Sequence, residues 1–125
     1  MPPANSPHQN RLLAAFSPED SERFFSNLHP VSLALRHVIQ PVAAPLEYVY
    51  FIEQGVASVL TTMANGATVE VGMIGREGLV GVSALFGAEV SSQNVICQIP
   101  GTALRMNTTR CVDALDLFQK SFHRL

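Results

Sequence analysis

Asn65-Gly66 stands between two apolar, β-rich runs, and this arrangement constrains the chain more than any other stretch of it. A type I′ turn needs φ > 0 at both central residues, so Asn-Gly between alternating apolar runs predicts a β-hairpin. Before the turn, Ala57, Val59, Thr61 and Met63 share a face at the strand period of two, and after it Val69, Val71 and Met73 do the same. Ser58, Thr62, Thr68 and Glu70 take the opposite faces, which predicts one buried and one wet side. The whole stretch runs from Tyr48 to Gly81 and passes through Gly75-Arg76-Glu77-Gly78. A charged pair held between glycines at a strand end is suited to receive a small polar ligand.

With 125 residues, 47% hydrophobic and 14% charged, the chain has the size and composition of one domain with its own core. Its net charge is −2 and its eight basic residues are scattered, which gives no electrostatic footprint for a phosphate backbone. The N-terminal MPPANSPHQN has neither the basic nor the apolar region of a secretory signal. No apolar run approaches the roughly 20 residues that cross a bilayer. Cys97 and Cys111 have neither CxxC spacing nor the count of a disulfide framework, so a reducing, cytoplasmic setting is expected.

Met1 to His8 reads as a disordered tail, and 9–125 as a single domain. Leu12, Leu13 and Phe16 fall on one side of a short helix over Gln9 to Phe16. Ser17-Pro18-Glu19-Asp20 is a helix start, with serine as N-cap, proline at the first helical position and acids in the first turn. The helix it opens, Glu19 to Leu28, is ended by His29-Pro30. Val31 to Leu35 and Val38-Ile39 are expected as short strands, and Gln40 to Leu46, broken by Pro41 and Pro45, as a loop. Gly81 to Gly87 predicts a single helical turn or compact bend closed by glycine. Val95, Cys97 and Ile99 alternate in a further strand, Pro100-Gly101 is expected to turn tightly, and Ala103 to Met106 follow. Asn107-Thr108-Thr109 caps a helix over 110–125 with Val112, Leu115, Phe118 and Phe122 on one stripe. Some seven or eight short strands flanked by helices imply a mainly β sandwich or barrel.

In this layout the chain resembles the sensory domain of the Crp/Fnr superfamily of bacterial transcription regulators, which is similar to a cyclic-nucleotide-binding domain. The residues that carry the likeness are Asn10-Arg11-Leu12-Leu13, Ser17-Pro18-Glu19-Asp20, Tyr48-Val49-Tyr50-Phe51 and Gly55 at a turn. Val69-Glu70-Val71-Gly72, Gly75-Arg76-Glu77-Gly78 and Pro100-Gly101 before Ala103-Leu104-Arg105-Met106 complete them. The resemblance implies a double-stranded β-helix, or jelly roll, with short N-terminal helices and a C-terminal helix. It implies a role in transcription regulation through signal sensing, and a homodimer formed through the C-terminal helix. It also implies a phosphate-binding cassette, in which a glutamate holds the ribose hydroxyl and a later arginine neutralises the cyclic phosphate. Glu77 matches the glutamate; Val90-Ser91-Ser92-Gln93 offers no cation where the arginine is expected. A buried phosphodiester needs a charge partner or many amide donors, so a cyclic nucleotide is not expected and no cofactor is assigned. The candidate ligand contacts are Arg76, Glu77, Gly78, Ser91 and Ser92.

The family's DNA-binding helix-turn-helix is not within these residues, so DNA contact is expected only if such a domain follows residue 125, and the chain reads as the N-terminal part of a regulator, either truncated or naturally free-standing. The superfamily's iron–sulfur branch uses an N-terminal cysteine cluster, and residues 1–30 contain no cysteine. His8, His29, His37 and His123 lack metal-ligand spacing, so no metal is expected, against the rival reading of a cupin-like metalloenzyme. No catalytic motif is visible, so the chain is not expected to be an enzyme. A third reading is an inert dimerising interaction module. Cys97 reads as a core residue; Cys111 lies near a helix N-terminus, where a thiolate would be stabilised. No membrane contact is expected.

Overall fold

The structure is a computed structural model that describes residues 9–15 and 26–123, the side chains as far as residue 116. The tail expected over 1–8, the helix start at Ser17 and the helix residues up to 25 fall outside the described residues. The order is α1 (Arg11–Ala14), β1 (His29–Leu33), β2 (Val38–Gln40), β3 (Tyr48–Thr62), β4 (Thr68–Ile74), β5 (Leu79–Val80), a 3-10 segment (Val82–Phe86), β6 (Asn94–Asn107) and α2 (Thr108–His123). All strand pairs are antiparallel, in the order β1-β6-β3-β4, with β2 also on β6 and β5 also on β3. The mainly β roll expected from the sequence is present, but with two long strands where several short ones are expected.

The two long strands organise everything else. β3 and β6 pair from Tyr48↔Asn107 to Leu60↔Asn94, with register shifts around Gln54 to Ala57. One half of each strand carries one set of neighbours: β5 on Tyr50-Phe51 and β1 on residues 101–105. The other half carries β4 on Ala57 to Thr62 and β2 on Val95-Ile96. Between the halves Gly55, at φ +95°, meets Pro100-Gly101 so closely that a Cβ on Gly101 would lie 1.9 Å from the Gln54 carbonyl oxygen. Pro100-Gly101 is therefore no tight turn and Gly55 no chain reversal. Both are irregularities inside continuous strands, which bend a sheet without ending it.

The strand period sorts the core into two layers. Ile52, Ala57, Val59, Val80, Val95, Cys97 and Ala103 fill one with Leu33 and Ile39. Val49, Phe51 and Met106 point the other way and pack with Leu13 of α1 and Cys111 of α2. Leu12, expected on the buried side of the first helix, is instead 40% exposed.

The hairpin forms at Asn65-Gly66, but not as a type I′ turn, since Gly66 at φ +87° lies in the left-handed region and Asn65 does not, and its apolar face is only half buried. Ala57 and Val59 are buried, whereas Val69, Val71 and Met73 are 42%, 54% and 60% exposed. β4 pairs with β3 alone among the described strands, and the register slips past Val71 between Val59↔Gly72 and Leu60↔Glu70. Nothing among the described residues covers that side. Ser58, expected on the wet side, is buried, and its hydroxyl donates to the Glu70 carboxylate.

Among the described residues, two non-glycine residues occupy the left-handed region, Arg36 at φ 66° and Ala43 at φ 63°. An alanine there costs about 1–2 kcal/mol relative to a right-handed conformation. Ala43→Gly relieves this while keeping the Ala43 amide bond to the Ser91 carbonyl, 2.7 Å. Urea denaturation should show the variant more stable by about 0.5–1 kcal/mol, after glycine's unfolded-state entropy is counted.

Candidate functional site

Gly75-Arg76-Glu77-Gly78 is a tight turn between β4 and β5, closed by the Gly78 amide donating to the Gly75 carbonyl at 3.1 Å. The Glu77 carboxylate folds back to accept the Gly75 N–H at 3.0 Å, and both Arg76 and Glu77 are exposed. The turn is tied down from the start of the domain. Asn10, fully buried as the N-cap of α1, accepts from the Leu12 and Leu13 amides and donates its own Nδ2 to the carbonyls of Ile52 and Gly78, both at 2.8 Å. The Asn10 amide donates to Glu53, and the Arg11 amide to the Arg76 carbonyl at 2.7 Å. One short polar side chain thus joins helix, central strand and turn.

Ser91, the other half of the candidate set, lies against the loop 41–46. Its backbone exchanges bonds with Ala43 and Ala44, and Leu46 donates to Glu89. Its buried hydroxyl accepts from Gln40 Nε2 at 3.0 Å and donates to the Gln93 carbonyl at 2.6 Å. Gln93 Nε2 continues the chain of bonds to Thr61 at 3.1 Å. Ser92 is exposed. Among the described residues, no hydrogen bond joins Arg76, Glu77 or Gly78 to Ser91 or Ser92. Between them run β5 and the 3-10 segment, flanked by Gly81 and Gly87 at φ 101° and 98°, with Val82 and Phe86 exposed.

Gln40 is a site residue that sequence reasoning missed. It is 8% exposed, and its Oε1 has no hydrogen-bond partner among the described residues. Ser91 donates to the Gln93 carbonyl and accepts from Gln40 Nε2, which leaves Oε1 turned away from it. Oε1 is left near Gly81, where a Cβ would stand 3.5 Å away. Beside Gln40 lies a cleft of about 230 Å³, lined by Ile39, Pro41, Pro45, Leu46, Tyr48 and Tyr50 among others. The Tyr48 and Tyr50 rings meet edge to face at 6.3 Å, and the Arg105 guanidinium sits 4.2 Å over Tyr48. A larger, shallower hollow of about 500 Å³ shares Pro45 to Tyr48 and extends to Asn107, Thr108 and Thr109. The sequence signal for Gln40 is faint, a lone amide closing the apolar Val38-Ile39 run.

The same loop anchors α2. Thr108 donates from its amide to the Glu47 carbonyl at 2.9 Å and from its hydroxyl to the Leu46 carbonyl at 2.6 Å. Asn107 caps the helix by accepting from Thr109 and Arg110, and Arg110 reaches Asn27 at 2.8 Å. Of the stripe expected from Val112, Leu115, Phe118 and Phe122, Leu115 packs on the core, while the fully buried position of the described part is Cys111, with Ala114 beside it. The side chains of Phe118 and Phe122 lie outside the described residues.

Burial pushes the Cys111 thiol up to about 11, which overturns the expectation that the helix start would favour its thiolate. Cys97 is raised for the same reason, and its thiol donates to the Ile99 carbonyl at 3.3 Å. Because the folded value of Cys111 lies above the unfolded one, its contribution is complete below about pH 9 and is lost as pH rises through 11. Iodoacetamide at pH 8 should leave the native chain unmodified and add two groups in urea, read by intact mass. Among the described residues no three histidine, cysteine, aspartate or glutamate side chains gather as a metal site. No described helix is long and apolar enough to cross a membrane.

A family model described as "Cyclic nucleotide-binding domain" matches residues 33–116. No curated protein matches the chain in sequence. Among solved structures, the c-di-GMP responsive global regulator CLP of Xanthomonas campestris superposes with a TM-score of 0.68 at 18% identity, over 86% of this chain and 51% of its own. The N-terminal domain of a transcriptional regulator from Streptomyces coelicolor A3(2) gives 0.74 at 18%, over 90% of this chain and 81% of its own. The catabolite activator protein of Thermus thermophilus gives 0.73 at 14%, over 90% and 53%. The chain thus spans about half the length of two of these three proteins.

Proposed function

Because the chain belongs to the cyclic nucleotide-binding domain family, we propose that it is the effector-sensing domain of a Crp/Fnr-type transcription regulator, in which a bound small molecule repositions α2. The observation that carries this is the double attachment of the helix start. Thr108 hangs from the carbonyls of Leu46 and Glu47, in the loop that also pairs with Ser91. Cys111 packs with Leu85 of the 3-10 segment in the same buried cluster. A ligand that shifts either wall therefore changes the free energy of the helix position, and differential binding to the two positions is what drives a population shift. Gly78, Ser91 and Ser92, with Arg76 and Glu77 on the turn, are the residues we assign to the ligand's surroundings.

The effector is not a cyclic nucleotide in this reading. Ser91 is surrounded by neutral groups, Gln40 and Gln93, and a buried phosphodiester without a cation is costly. In the whole protein α2 would carry the signal to a homodimer contact and to a DNA-binding domain in the same polypeptide, within the cytoplasm.

The test is backbone hydrogen exchange on the chain with and without the low-molecular-weight fraction of its host's extract, with cyclic AMP and cyclic GMP run alongside. Protection should change in residues 82–87 and in the first turns of α2 with the extract and stay unchanged with either cyclic nucleotide. Exchange that is the same with and without the extract would remove the sensor reading. A response to cyclic nucleotide alone would reverse the choice of effector.

A further inference from the structure

Asn65-Gly66, at the tip of the hairpin, is a motif that the effector site does not use. We infer that it is a site of self-modification: the Gly66 nitrogen attacks the Asn65 side-chain amide, and position 65 becomes a mixture of aspartate and isoaspartate. The assignment is independent of the effector and of α2.

The reaction needs only water and hydroxide. Hydroxide takes the Gly66 amide proton, and the nitrogen forms a bond to Asn65 Cγ, closing a five-membered succinimide. The bond from Cγ to Nδ2 breaks, and Nδ2 leaves as ammonia after taking a proton from water. Water then opens the ring. Cleavage of the new bond to Cγ gives aspartate, and cleavage of the original peptide bond gives isoaspartate. Either product adds one negative charge to a chain whose formal net charge is −2.

The tip is built for this attack. Asn65 and Gly66 are both exposed, and residue 66 has no side chain to obstruct its own nitrogen. Nothing lies within 4 Å of where a Gly66 Cβ would stand. The Met63 amide donates to the Ala67 carbonyl at 2.7 Å, so Ala64, Asn65 and Gly66 form a three-residue loop with Gly66 left-handed. The loop lies beyond the last strand pair, Thr62↔Thr68, so loosening it breaks no pairing. The other described asparagines differ. Asn10, Asn27, Asn94 and Asn107 precede Arg11, Leu28, Val95 and Thr108, whose side chains crowd the attacking nitrogen. The amides of Arg11 and Thr108 are moreover held by the carbonyls of Arg76 and Glu47.

Two hydrogen bonds restrain the pair. The Gly66 N–H, which must lose its proton, donates to the Met63 carbonyl at 2.9 Å, and Asn65 Oδ1 accepts from the Ala67 amide at 3.0 Å. Breaking two such bonds slows the step by roughly five- to a hundredfold. The modification therefore records how often the hairpin tip frays while the rest of the fold stays closed.

The test holds the 125-residue chain at pH 8, in buffer and in urea that unfolds it, and digests timed samples with trypsin. Fragment 37–76 contains Asn65 as its only asparagine. Its mass gain from amide to acid, with the isoaspartate form separated by chromatography, reads the conversion. The folded chain should convert, more slowly than the unfolded one by roughly five- to a hundredfold. In urea, where folding plays no part, Gly66→Ala should slow the conversion and Asn65→Gln should largely abolish it. A folded-to-unfolded ratio outside that window would overturn the assignment. Near unity, the tip's hydrogen bonds do not govern the step; far above the window, the whole chain must unfold first. Conversion at another asparagine ahead of Asn65 would overturn it as well, as would an unchanged rate for Gly66→Ala in urea.

Discussion

Gly101→Ala should abolish the native fold. The added Cβ would lie 1.9 Å from the Gln54 carbonyl oxygen, 2.3 Å from its carbon and 2.7 Å from the Gly55 nitrogen. All three are backbone atoms, so no rotamer change relieves the contact. β3 and β6 would have to separate where both bend, and their pairing holds together the two halves of the roll. The expected loss is on the order of 4 kcal/mol or more, comparable to the whole stability of a small domain. Circular dichroism with a urea titration reads it directly. Gly72→Ala is the control, since nothing lies within 4 Å of its Cβ position and its φ is ordinary. It should change stability by no more than about 0.5 kcal/mol. Should Gly101→Ala unfold with the same midpoint as the unaltered chain, the close approach of the two strands is not what bends the sheet.

Asn10→Leu has the second largest expected effect. The side chain is fully buried and makes four hydrogen bonds: to the amides of Leu12 and Leu13 and to the carbonyls of Ile52 and Gly78. Leucine keeps the branched outline, with bulkier methyl groups, but removes the cap, worth about 1 kcal/mol. It also strips a donor from two enclosed carbonyls, at about 1–3 kcal/mol each. A total of about 3 kcal/mol or more is expected. The distinguishing readout is local: Asn10→Leu should speed exchange at the Arg11 and Gly78 amides, which close the turn at Arg76. Asn10→Asp retains the cap oxygen but sets a carboxylate against two carbonyls, and should be at least as damaging. Slow, unchanged exchange at Arg11 in a folded Asn10→Leu protein would show that the turn is held by its own glycines.

Much of this architecture was legible in the residues. Asn65-Gly66 marks the hairpin, Asn107 the start of α2, and Gly81 and Gly87 the ends of the 3-10 segment, because each signal is local and rests on φ or on capping. What was hidden depends on contacts between distant strands. Pro100-Gly101 has the look of a turn; only its apposition to Gly55 across the sheet makes it a bend within one strand. Val69, Val71 and Met73 alternate as a buried face does, but alternation cannot say whether anything packs on it. Of the candidate ligand residues, Arg76 to Gly78 rest on a charged pair held between glycines as well as on resemblance, Ser91 and Ser92 on resemblance alone, and the two sets lie in separately tethered segments. Asn10 and Gln40 were passed over as site residues because an amide's importance lies in which carbonyls and hydroxyls surround it.

The long pairing of β3 with β6 also dictates a timetable. His29 waits for Arg105 and Val38 for Ile96, so neither β1 nor β2 has a partner until the last strand exists. Among the described strand pairs, only the β3–β4 hairpin is local in sequence and able to form before β6 is made. The first two strands therefore stay without their sheet partners until residues 94–107 have been made, and the sheet then closes around β6. Such distant pairings place refolding in the range of roughly milliseconds to seconds.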